Sequence, residues 1–388
     1  MTFAKRTDWN TAPNALTQAL ERIKPSPDFI DLTVSNPTLC GFRYLEPSLL
    51  QEFKNPQNLL YQPDAHGLLE ARLSICAYYA RRGAAISPDQ IFITANTSEA
   101  YTFVFKLLAD AGDQVLAPAP GYPLIEYLAG LNDLKLERYP LCDNGGWSTD
   151  LNALAGLMTA ETKALMLVHP ANPTGNYVAA EERAALVDLC ARFSAPLISD
   201  EVFFDYAWNP QVRPDSFASN NRTLTFTLSG ISKILGLPQM KLSWIIVTGP
   251  ETLRREACRR LEIISDTYLS AGTPNQNALP FWFSREETIC GEIRSRVREN
   301  RTMLEKSLGT HTRVNLSKGA GGWTSVLELP EDKQDEAWAL HFLEEFHTAL
   351  HPGYLFDLPA EKSYLVVSLL VPPDRMHKGL GRLKLGLG

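Results

Sequence analysis

The stretch 163-KALMLVHPANPTG-175 is the part of the sequence on which the fold prediction depends. After Lys163 its first half is an unbroken apolar run, which is typical of a strand buried on both faces of a sheet. A turn with Asn172 and Gly175 follows at once, since both residue types suit turn geometry. The next segment, 180–194, is amphipathic, acidic at its start and basic near its end, as helices are. The stretch therefore predicts strand, loop and helix in succession.

The same alternation extends outward in both directions. Further apolar runs with turn residues around them are 91-IFIT-94, 114-QVLAP-118, 196-PLISD-200, 223-TLTFTL-228 and 244-WIIVTG-249. Amphipathic segments such as 97–112 separate them, and this pattern predicts a mostly parallel α/β sheet between helices. From about residue 275, long polar helices alternate with two apolar runs, 323–329 and 364–371, which predicts a second, smaller α+β domain. The first forty or so residues show no strand pattern, and we expect them to pack against this second domain.

Length and composition exclude several classes of protein. The 388 residues suffice for two or three domains of about 150 residues each. A hydrophobic content of 45% argues against a disordered or fibrous chain, and a net charge of −7 offers no basic surface for nucleic acid or an anionic membrane. No run approaches the roughly 20 apolar residues of a membrane span, and the N-terminus has no apolar signal-peptide segment. We expect a cytoplasmic protein without nucleic-acid or membrane partners.

The six cysteines are widely separated and contain no C-x-x-C pair. A chain of this length does not need disulfides to support its core, so we expect reduced thiols. The sequence predicts no metal site.

Polar residues follow the predicted strands, at the sheet edge where ligands of α/β proteins bind. These strand ends are Asn96-Thr97-Ser98, the Tyr122 loop, Asn172 to Gly175, Asp200-Glu201 and Ser229 to Lys233. Each has an ordinary interpretation as well as a functional one. Lys233 is either an imine-forming amine or a surface lysine. Asp200, if buried, needs a cation or a hydrogen-bond donor, which a structural salt bridge would supply. Tyr122 is either a ligand contact or part of the core.

The segment Asn96-Thr97-Ser98 likewise has two interpretations. It opens a helix directly after a strand, so its free N–H groups and the partial positive charge of the helix end would suit a phosphate. An ordinary N-cap formed by Thr97 or Ser98, with Glu99 nearby, is the alternative.

In combination and in this order, these elements resemble the class I/II aminotransferases of the aspartate aminotransferase fold, fold type I, which use pyridoxal 5'-phosphate (PLP). The resemblance covers nearly the whole chain. Its motifs are Ser35-Asn36-Pro37, Tyr61-x-Pro-x-x-x-Gly67, Asn172-Pro-Thr-Gly, Asp200-Glu201, Ser232-Lys233 and His351-Pro352-Gly353. It implies a large PLP-binding domain over residues 45–275 and a small domain assembled from residues 1–44 and 276–388.

The resemblance also implies roles for individual residues. Lys233 would form the Schiff base with PLP and shuttle a proton during the reaction. Asp200 would pair with the pyridinium nitrogen, Asn172 would hydrogen-bond the O3′ oxygen, and Tyr122 would stack on the ring. Lys233 and Asp200 are therefore the expected catalytic residues.

The cofactor phosphate would be bound from several positions. The implied contacts are Asn96, Thr97, Ser98, Ser232 and Lys241. Tyr61 corresponds to a tyrosine that reaches the phosphate of the neighbouring subunit, so the resemblance implies a homodimer with shared active sites.

The sequence departs from the family pattern at three positions. Lys241 replaces the usual arginine on the phosphate, so an ammonium replaces a bidentate fork. Phe203 replaces a tyrosine that helps to hold O3′, and we expect the Lys233 linkage to titrate at a higher pH than in relatives. Val366 replaces the arginine that grips the substrate α-carboxylate. Either another cation, with Arg43 and Arg375 as candidates, holds the carboxylate, or the amino donor is not an ordinary α-amino acid. Both arginines also fit an ordinary position on the surface.

The sequence thus favours a PLP-dependent aminotransferase that moves an amino group between an amino acid or amine and a keto acid. Two alternatives remain at this point. Because Val366 removes the usual carboxylate anchor, another fold type I enzyme, such as a lyase, racemase, decarboxylase or cyclase, is one of them. A non-catalytic PLP-binding regulator is the other, although no basic tail or helix-turn-helix segment accompanies the chain.

Overall fold

The fold alternates strands and helices along most of the chain in a computed structural model that describes residues 3–212 and 214–388. The strands are β1 Ile30–Asp31, β2 Ile91–Thr94, β3 Gln114–Ala119, β4 Lys135–Asp143, β5 Trp147–Thr149, β6 Thr162–Val168, β7 Leu197–Asp200, β8 Thr225–Gly230, β9 Ser243–Thr248, β10 Asn315–Leu316, β11 Thr324–Leu329, β12 Thr348–Ala349, β13 His351–Pro352 and β14 Ser363–Ser368. The α-helices are α1 Ala15–Ile23, α2 Leu69–Ala80, α3 Thr97–Leu108, α4 Leu124–Leu131, α5 Leu151–Leu157, α6 Ala180–Phe193, α7 Ile231–Ile234, α8 Glu251–Tyr268, α9 Thr273–Ser284, α10 Glu286–Leu308, α11 Asp335–Phe346 and α12 Pro373–Leu387.

The central sheet contains eight strands in the order β2-β9-β8-β7-β6-β3-β4-β5. Its middle five strands, from β8 to β4, run parallel. β9 is antiparallel to both of its neighbours, and β5 is antiparallel to β4. Every residue of β2, β7, β8 and β9 is buried, which explains why these strands are continuous apolar or small-residue runs. The mostly parallel α/β sheet is confirmed, and each of the six predicted runs forms one of its strands.

A second sheet is antiparallel and has the order β10-β11-β14-β13. The two apolar runs near the C-terminus supply β11 and β14, which pair over six residues. The long helices predicted after residue 275 are α10 and α11. α11 ends at Phe346, because His347 adopts a left-handed backbone conformation with φ 49°. These elements form the additional α+β part of the fold.

Helix α1 of the N-terminal segment packs against this C-terminal part. Leu16 and Leu20 on α1 pack beside Leu343 of α11. The segment also contains a short strand, β1, that the sequence analysis did not predict, and it pairs in parallel with β12. A two-residue strand has too little pattern of its own to be recognised, since its existence depends on the partner strand.

Apolar layers cover both faces of the central sheet. On one face, α3 and α8 pack on the strands through residues such as Val104 and Leu261. On the other face, Leu186 of α6 belongs to a cluster that also contains Val326 and Val366 of the antiparallel sheet. This cluster joins the second sheet to the part of the chain around α6, and the Thr324 hydroxyl donates to the Pro173 carbonyl oxygen, so β11 begins beside the loop that follows β6. Among the residues described, each helix falls short of the combined length and hydrophobicity that crossing a bilayer requires.

Candidate active site

Lys233 lies on the short helix α7, immediately after β8. Its Nζ is 5.1 Å from the ring centroid of Trp323 and 5.6 Å from that of Phe203. The main chain at this point is held by the Tyr206 hydroxyl, which donates to the carbonyl oxygens of Lys233 at 2.6 Å and Ile234 at 3.0 Å. Burial lowers the pKa of Lys233, and the negative charge of Asp200 opposes this shift. The lysine is therefore an enclosed amine flanked by aromatic rings, not the surface residue of the alternative interpretation.

Asp200 is the last residue of β7, the strand next to β8. Its side chain is buried and accepts two hydrogen bonds, from the Val202 N–H at 3.0 Å and from the Tyr101 hydroxyl at 2.9 Å. Burial raises the pKa of Asp200 to about 6, while these donors and the charge of Lys233 act in the opposite direction. A buried Asp200 was predicted to need a cation or a hydrogen-bond donor, and it has two such donors.

The neighbouring Glu201 is also buried but has a different environment. It accepts hydrogen bonds from the hydroxyls of Ser199 and Ser216 and from the Phe217 N–H, at 3.2, 2.6 and 2.7 Å. Burial raises the pKa of Glu201 to about 7. These contacts connect β7 to the segment around residue 216, so Glu201 stabilises the structure next to the site.

Asn172 lies in the loop after β6, where the antiparallel sheet meets the central one. The Thr324 hydroxyl is 3.4 Å from Asn172 Oδ1 and donates to the Pro173 carbonyl oxygen at 3.0 Å. Gly175 in the same loop has φ 75°, and a Cβ there would lie 2.5 Å from the Gly321 carbonyl oxygen. Only glycine permits this approach, which explains the final residue of the Asn-Pro-Thr-Gly motif.

Tyr122 follows β3 and is 40% exposed. Partial burial raises the pKa of its phenol, and the charge of Asp200 adds to this shift, so the two side chains share one electrostatic environment. The preceding residue, Gly121, donates its N–H to the Phe356 carbonyl oxygen at 2.9 Å. The loop that presents Tyr122 is therefore attached to the C-terminal part of the chain.

The start of α3 provides hydroxyls and main-chain donors. Asn96 is the N-cap, because its Oδ1 accepts the Glu99 N–H at 2.9 Å, while Glu99 accepts the Ala95 N–H at 2.7 Å. The cap expected at Thr97 or Ser98 is therefore on Asn96 instead. The Thr97 and Ser98 hydroxyls show no hydrogen bond to any of the described residues, which leaves them available at the positive end of the helix.

The remaining predicted cofactor contacts are more exposed or lie apart. Ser232 is partly buried beside Lys233, and its hydroxyl has no hydrogen-bond partner among the described residues. Lys241 is exposed and has a left-handed backbone with φ 48°. Tyr61 is 79% exposed within the single chain. The structure thus groups Lys233, Asp200 and Tyr122 in one environment, and leaves Tyr61 facing outward.

Among the positions considered for binding the substrate carboxylate, Val366 lies in the protein interior. It is fully buried on β14, opposite Val326 on one side and His351 on the other. Arg43 has a 93% exposed side chain that pairs with Glu292, and Arg375 donates to the Phe29 carbonyl oxygen at 3.2 Å. These contacts involve no residue of the candidate site.

Three site residues were missed by the sequence analysis: Tyr101, Trp323 and Thr324. Tyr101 could have been found, because it lies four residues after Thr97 and hence on the same face of the predicted helix. Trp323 and Thr324 reach the site through contacts with Lys233 and with the Asn172 loop, which are distant in sequence, and no local pattern signals such contacts.

One group of possible metal ligands lies elsewhere. Ligand atoms of Asp205, Glu286 and Cys290 fall within 4.8 Å of one another. Both carboxylates, however, pair with the Arg82 guanidinium, so this group is a buried charge network.

Comparison with known proteins shows the family of the chain. Residues 27–383 match the sequence profile of the family described as "Aminotransferase class I and II". The glutamate-pyruvate aminotransferase AlaA of Escherichia coli strain K12 is 25% identical over 352 residues, covering 88% of this chain and 86% of that protein. The tyrosine aminotransferase of Dictyostelium discoideum is 22% identical over 400 residues, covering 96% and 93%.

Solved structures show the same fold. The alanine aminotransferase from Pyrococcus furiosus superposes with a TM-score of 0.88 at 23% identity, covering 99% of each chain. A double mutant of the Thermus thermophilus aspartate aminotransferase superposes with a TM-score of 0.86 at 20% identity, covering 100% of each chain. Since the family profile spans nearly the whole sequence, the chain belongs to the class I and II aminotransferase family and is a PLP-dependent aminotransferase.

Proposed function

We propose that Lys233 is the residue to which PLP attaches and that Asp200 binds the ring nitrogen of the cofactor. The observation that carries this proposal is the pair itself. A largely enclosed amine and a buried carboxylate lie at the ends of adjacent parallel strands, and each influences the pKa of the other. Amine, carboxylate, amide and aromatic ring are the groups that an aldehyde-bearing pyridinium ring requires, so the residues present fit PLP.

Bound PLP supplies an electron sink that lets the α-hydrogen of an amino substrate leave as a proton. The protein must then hold and move that proton. Lys233 suits this task, because a lowered pKa gives its Nζ more of the neutral form that accepts a proton. The Phe203 and Trp323 rings shield Nζ from water. Asp200 would keep the ring nitrogen protonated, which maintains the electron sink.

The other contacts orient the ring and its phosphate. In this proposal Asn172 donates to the O3′ oxygen through its amide, and Tyr122 stacks on the ring. The hydroxyls of Thr97, Ser98 and Ser232, the cap residue Asn96 and the Lys241 ammonium bind the phosphate. Support comes from the free hydroxyls at the positive end of α3, a geometry that suits anions.

We also propose a homodimer with shared active sites, in which Tyr61 contacts the phosphate bound by the partner subunit. The support is the exposure of three consecutive large side chains, Leu59, Leu60 and Tyr61, because apolar patches of this kind mark interfaces. The domain division into 45–275 and 1–44 with 276–388 is part of the same proposal. It is supported by the separation of the eight-stranded sheet from the four-stranded sheet.

The proposed partners are small molecules, an amino donor and a keto acid, and the proposed location is the cytoplasm. All six cysteines are free thiols, a state that a reducing compartment maintains. Glutamate, alanine and tyrosine, which the names of the relatives mention, are the first donors to test.

Attachment at Lys233 is tested with the purified holoenzyme. It should be yellow, lose this colour on treatment with borohydride, and yield one pyridoxyl-modified peptide containing Lys233. Lys233→Ala should abolish the modified peptide, whereas Lys163→Ala, a control at a partly exposed lysine paired with Asp113, should retain it. Modification at another lysine, or a colourless protein that takes up no PLP, would refute the proposal.

Transamination is tested on the same preparation. An effective donor should convert the cofactor to its pyridoxamine form and release the corresponding keto acid in equal amount. Conversion without keto acid would instead indicate another PLP reaction. Comparing each amino acid with its decarboxylated amine also shows whether the donor needs a carboxylate in a site that has Val366 in place of arginine.

A further inference from the structure

Tyr101 is the buried side chain in contact with the carboxylate proposed to bind the cofactor ring. Its hydroxyl donates to Asp200 Oδ2 at 2.9 Å, and both residues are almost fully buried. The other oxygen, Oδ1, accepts the Val202 N–H at 3.0 Å. Each carboxylate oxygen therefore has one donor, which fixes the plane of the group and favours its ionised form.

Tyr101 is not simply one more tyrosine satisfied in the core. Tyr139, a comparably buried tyrosine on β4 of the central sheet, donates to the carbonyl oxygen of Met166 at 2.8 Å, and this bond connects β4 to the main chain of β6. The acceptor of Tyr101 is instead an ionisable group at a strand end that faces Lys233. Burial raises the pKa of Asp200 to about 6, so the donors that oppose this shift decide its charge near neutral pH.

The position of Tyr101 on α3 adds a second role. Thr97 in the first turn and Tyr101 four residues later lie on the same face of the helix, roughly 6 Å apart along its axis. The first turn carries the hydroxyls proposed to bind the phosphate, while Tyr101 contacts the residue proposed to bind the ring nitrogen. One rigid helix thus sets the distance between the two ends of the cofactor site.

We propose that Tyr101 is a positioning residue for the cofactor, which acts through Asp200 by keeping that carboxylate ionised and directed at the ring nitrogen of PLP. This inference rests on the proposed function of Asp200. It assigns Tyr101 no direct contact with the substrate or with the reacting atoms.

The test measures equilibrium binding to the apoenzyme, with two ligands that differ only at the ring nitrogen. PLP and its 1-deaza analogue, in which a C–H group replaces that nitrogen, are titrated by fluorescence into the wild type, Tyr101→Phe and the matched control Tyr139→Phe. We expect Tyr101→Phe to weaken PLP binding roughly tenfold, because it removes a hydrogen bond to a charged group. Binding of the deaza analogue should change less than about twofold, and Tyr139→Phe should leave the ratio of the two affinities unchanged.

A second comparison uses the Asp200→Asn background, in which Tyr101→Phe should no longer alter the PLP affinity, since its effect passes through the carboxylate. Equal weakening of both ligands by Tyr101→Phe would indicate a general structural role and overturn this inference alone, as would unchanged binding of PLP. Failure of the wild type itself to bind PLP would overturn the proposed function and this inference with it. Circular dichroism of each variant reports whether the fold is intact.

Discussion

At the scale of single residues, the site depends on what surrounds each charge. Lys233 and Asp200 carry opposite charges, yet burial disfavours the charged form of both, which lowers the pKa of the lysine and raises that of the acid. Two hydrogen-bond donors compensate Asp200, and two aromatic rings flank Lys233. The cofactor would thus enter a site whose charges are already held in place.

Replacing Phe203 by tyrosine tests the effect of the phenol that is absent at this position. Its ring centroid lies 5.6 Å from Lys233 Nζ, where a tyrosine hydroxyl could donate to O3′ of the cofactor. Such a bond stabilises the deprotonated form, so Phe203→Tyr should lower the pKa of the Lys233–cofactor linkage by about one to two pH units. An absorbance titration of the holoenzyme measures this pKa. The control Phe204→Tyr adds a hydroxyl beside His169, away from Lys233, and should cause no shift. An unchanged pKa in Phe203→Tyr would contradict the prediction.

At the scale of elements, the ends of the parallel strands determine what meets at the site. β7 ends at Asp200, β8 leads directly into the helix of Lys233, and β6 is followed by the Asn172 loop. Because these strands are adjacent and parallel, their carboxyl ends lie along one edge of the sheet. The loop after β6 also needs internal support, which a histidine provides.

His169 follows β6 and is buried between the rings of Tyr177, Phe204 and Phe217. Its Nδ1 accepts the Val178 N–H at 3.1 Å, so the ring is neutral with its proton on Nε2. Burial lowers the pKa of His169 to about 3, and the charge of Arg183 adds to this shift. Since the unfolded chain takes up a proton near pH 6.5 and the folded one does not, stability is lost as the pH falls from about 6.5 toward 3.

We therefore predict that His169→Asn makes the protein less sensitive to acid. The asparagine Oδ1 can accept the Val178 N–H but takes up no proton. Between pH 7 and pH 5 the wild type should lose about 2 kcal/mol of unfolding free energy through His169, and the variant should lack this loss. Urea denaturation at the two pH values measures the difference. His377→Asn, at an exposed position on α12, serves as the control, and equal pH dependence in all three proteins would refute the prediction.

At the scale of the whole molecule, the central sheet was predictable from sequence, whereas the contacts that connect the parts of the molecule were not. The six apolar runs of the central sheet are buried on both faces, so each carries its own signal. β1, β12 and β13 have two residues each and exist through their partners. The same contrast holds in the site. Lys233, Asp200, Asn172 and Tyr122 could be named from strand ends and motifs, whereas Trp323 directly precedes β11 and comes near Lys233 through a contact distant in sequence.

The assembly proposed for the whole molecule predicts a particle of twice the 43.2 kDa chain mass. Leu59 is 88% exposed and lies beside Leu60 and Tyr61 in the proposed interface. The double substitution Leu59→Glu with Leu60→Glu should shift the protein toward monomer, because charges would be buried without partners. It should also weaken PLP binding, since Tyr61 would no longer reach the partner's site.

Light scattering coupled to gel filtration measures the mass, and fluorescence titration measures the PLP affinity. Leu385→Glu, at a position 74% exposed on the C-terminal helix, should change neither quantity. A monomeric wild type that binds PLP would disprove the shared-site dimer.

The pairing of β1 with β12 has a consequence for synthesis on the ribosome. Ile30 pairs with Thr348, and the Ser368 N–H donates to the Leu32 carbonyl oxygen at 2.7 Å. Residues 30–32 must therefore wait until residues 348–368 have emerged before they find these partners. The central sheet, whose strands all lie between residues 91 and 248, can be completed in the meantime. A nascent chain of this aminotransferase would thus carry an assembled sheet and an unpaired segment at residues 30–32 until residues 348–368 have been synthesised.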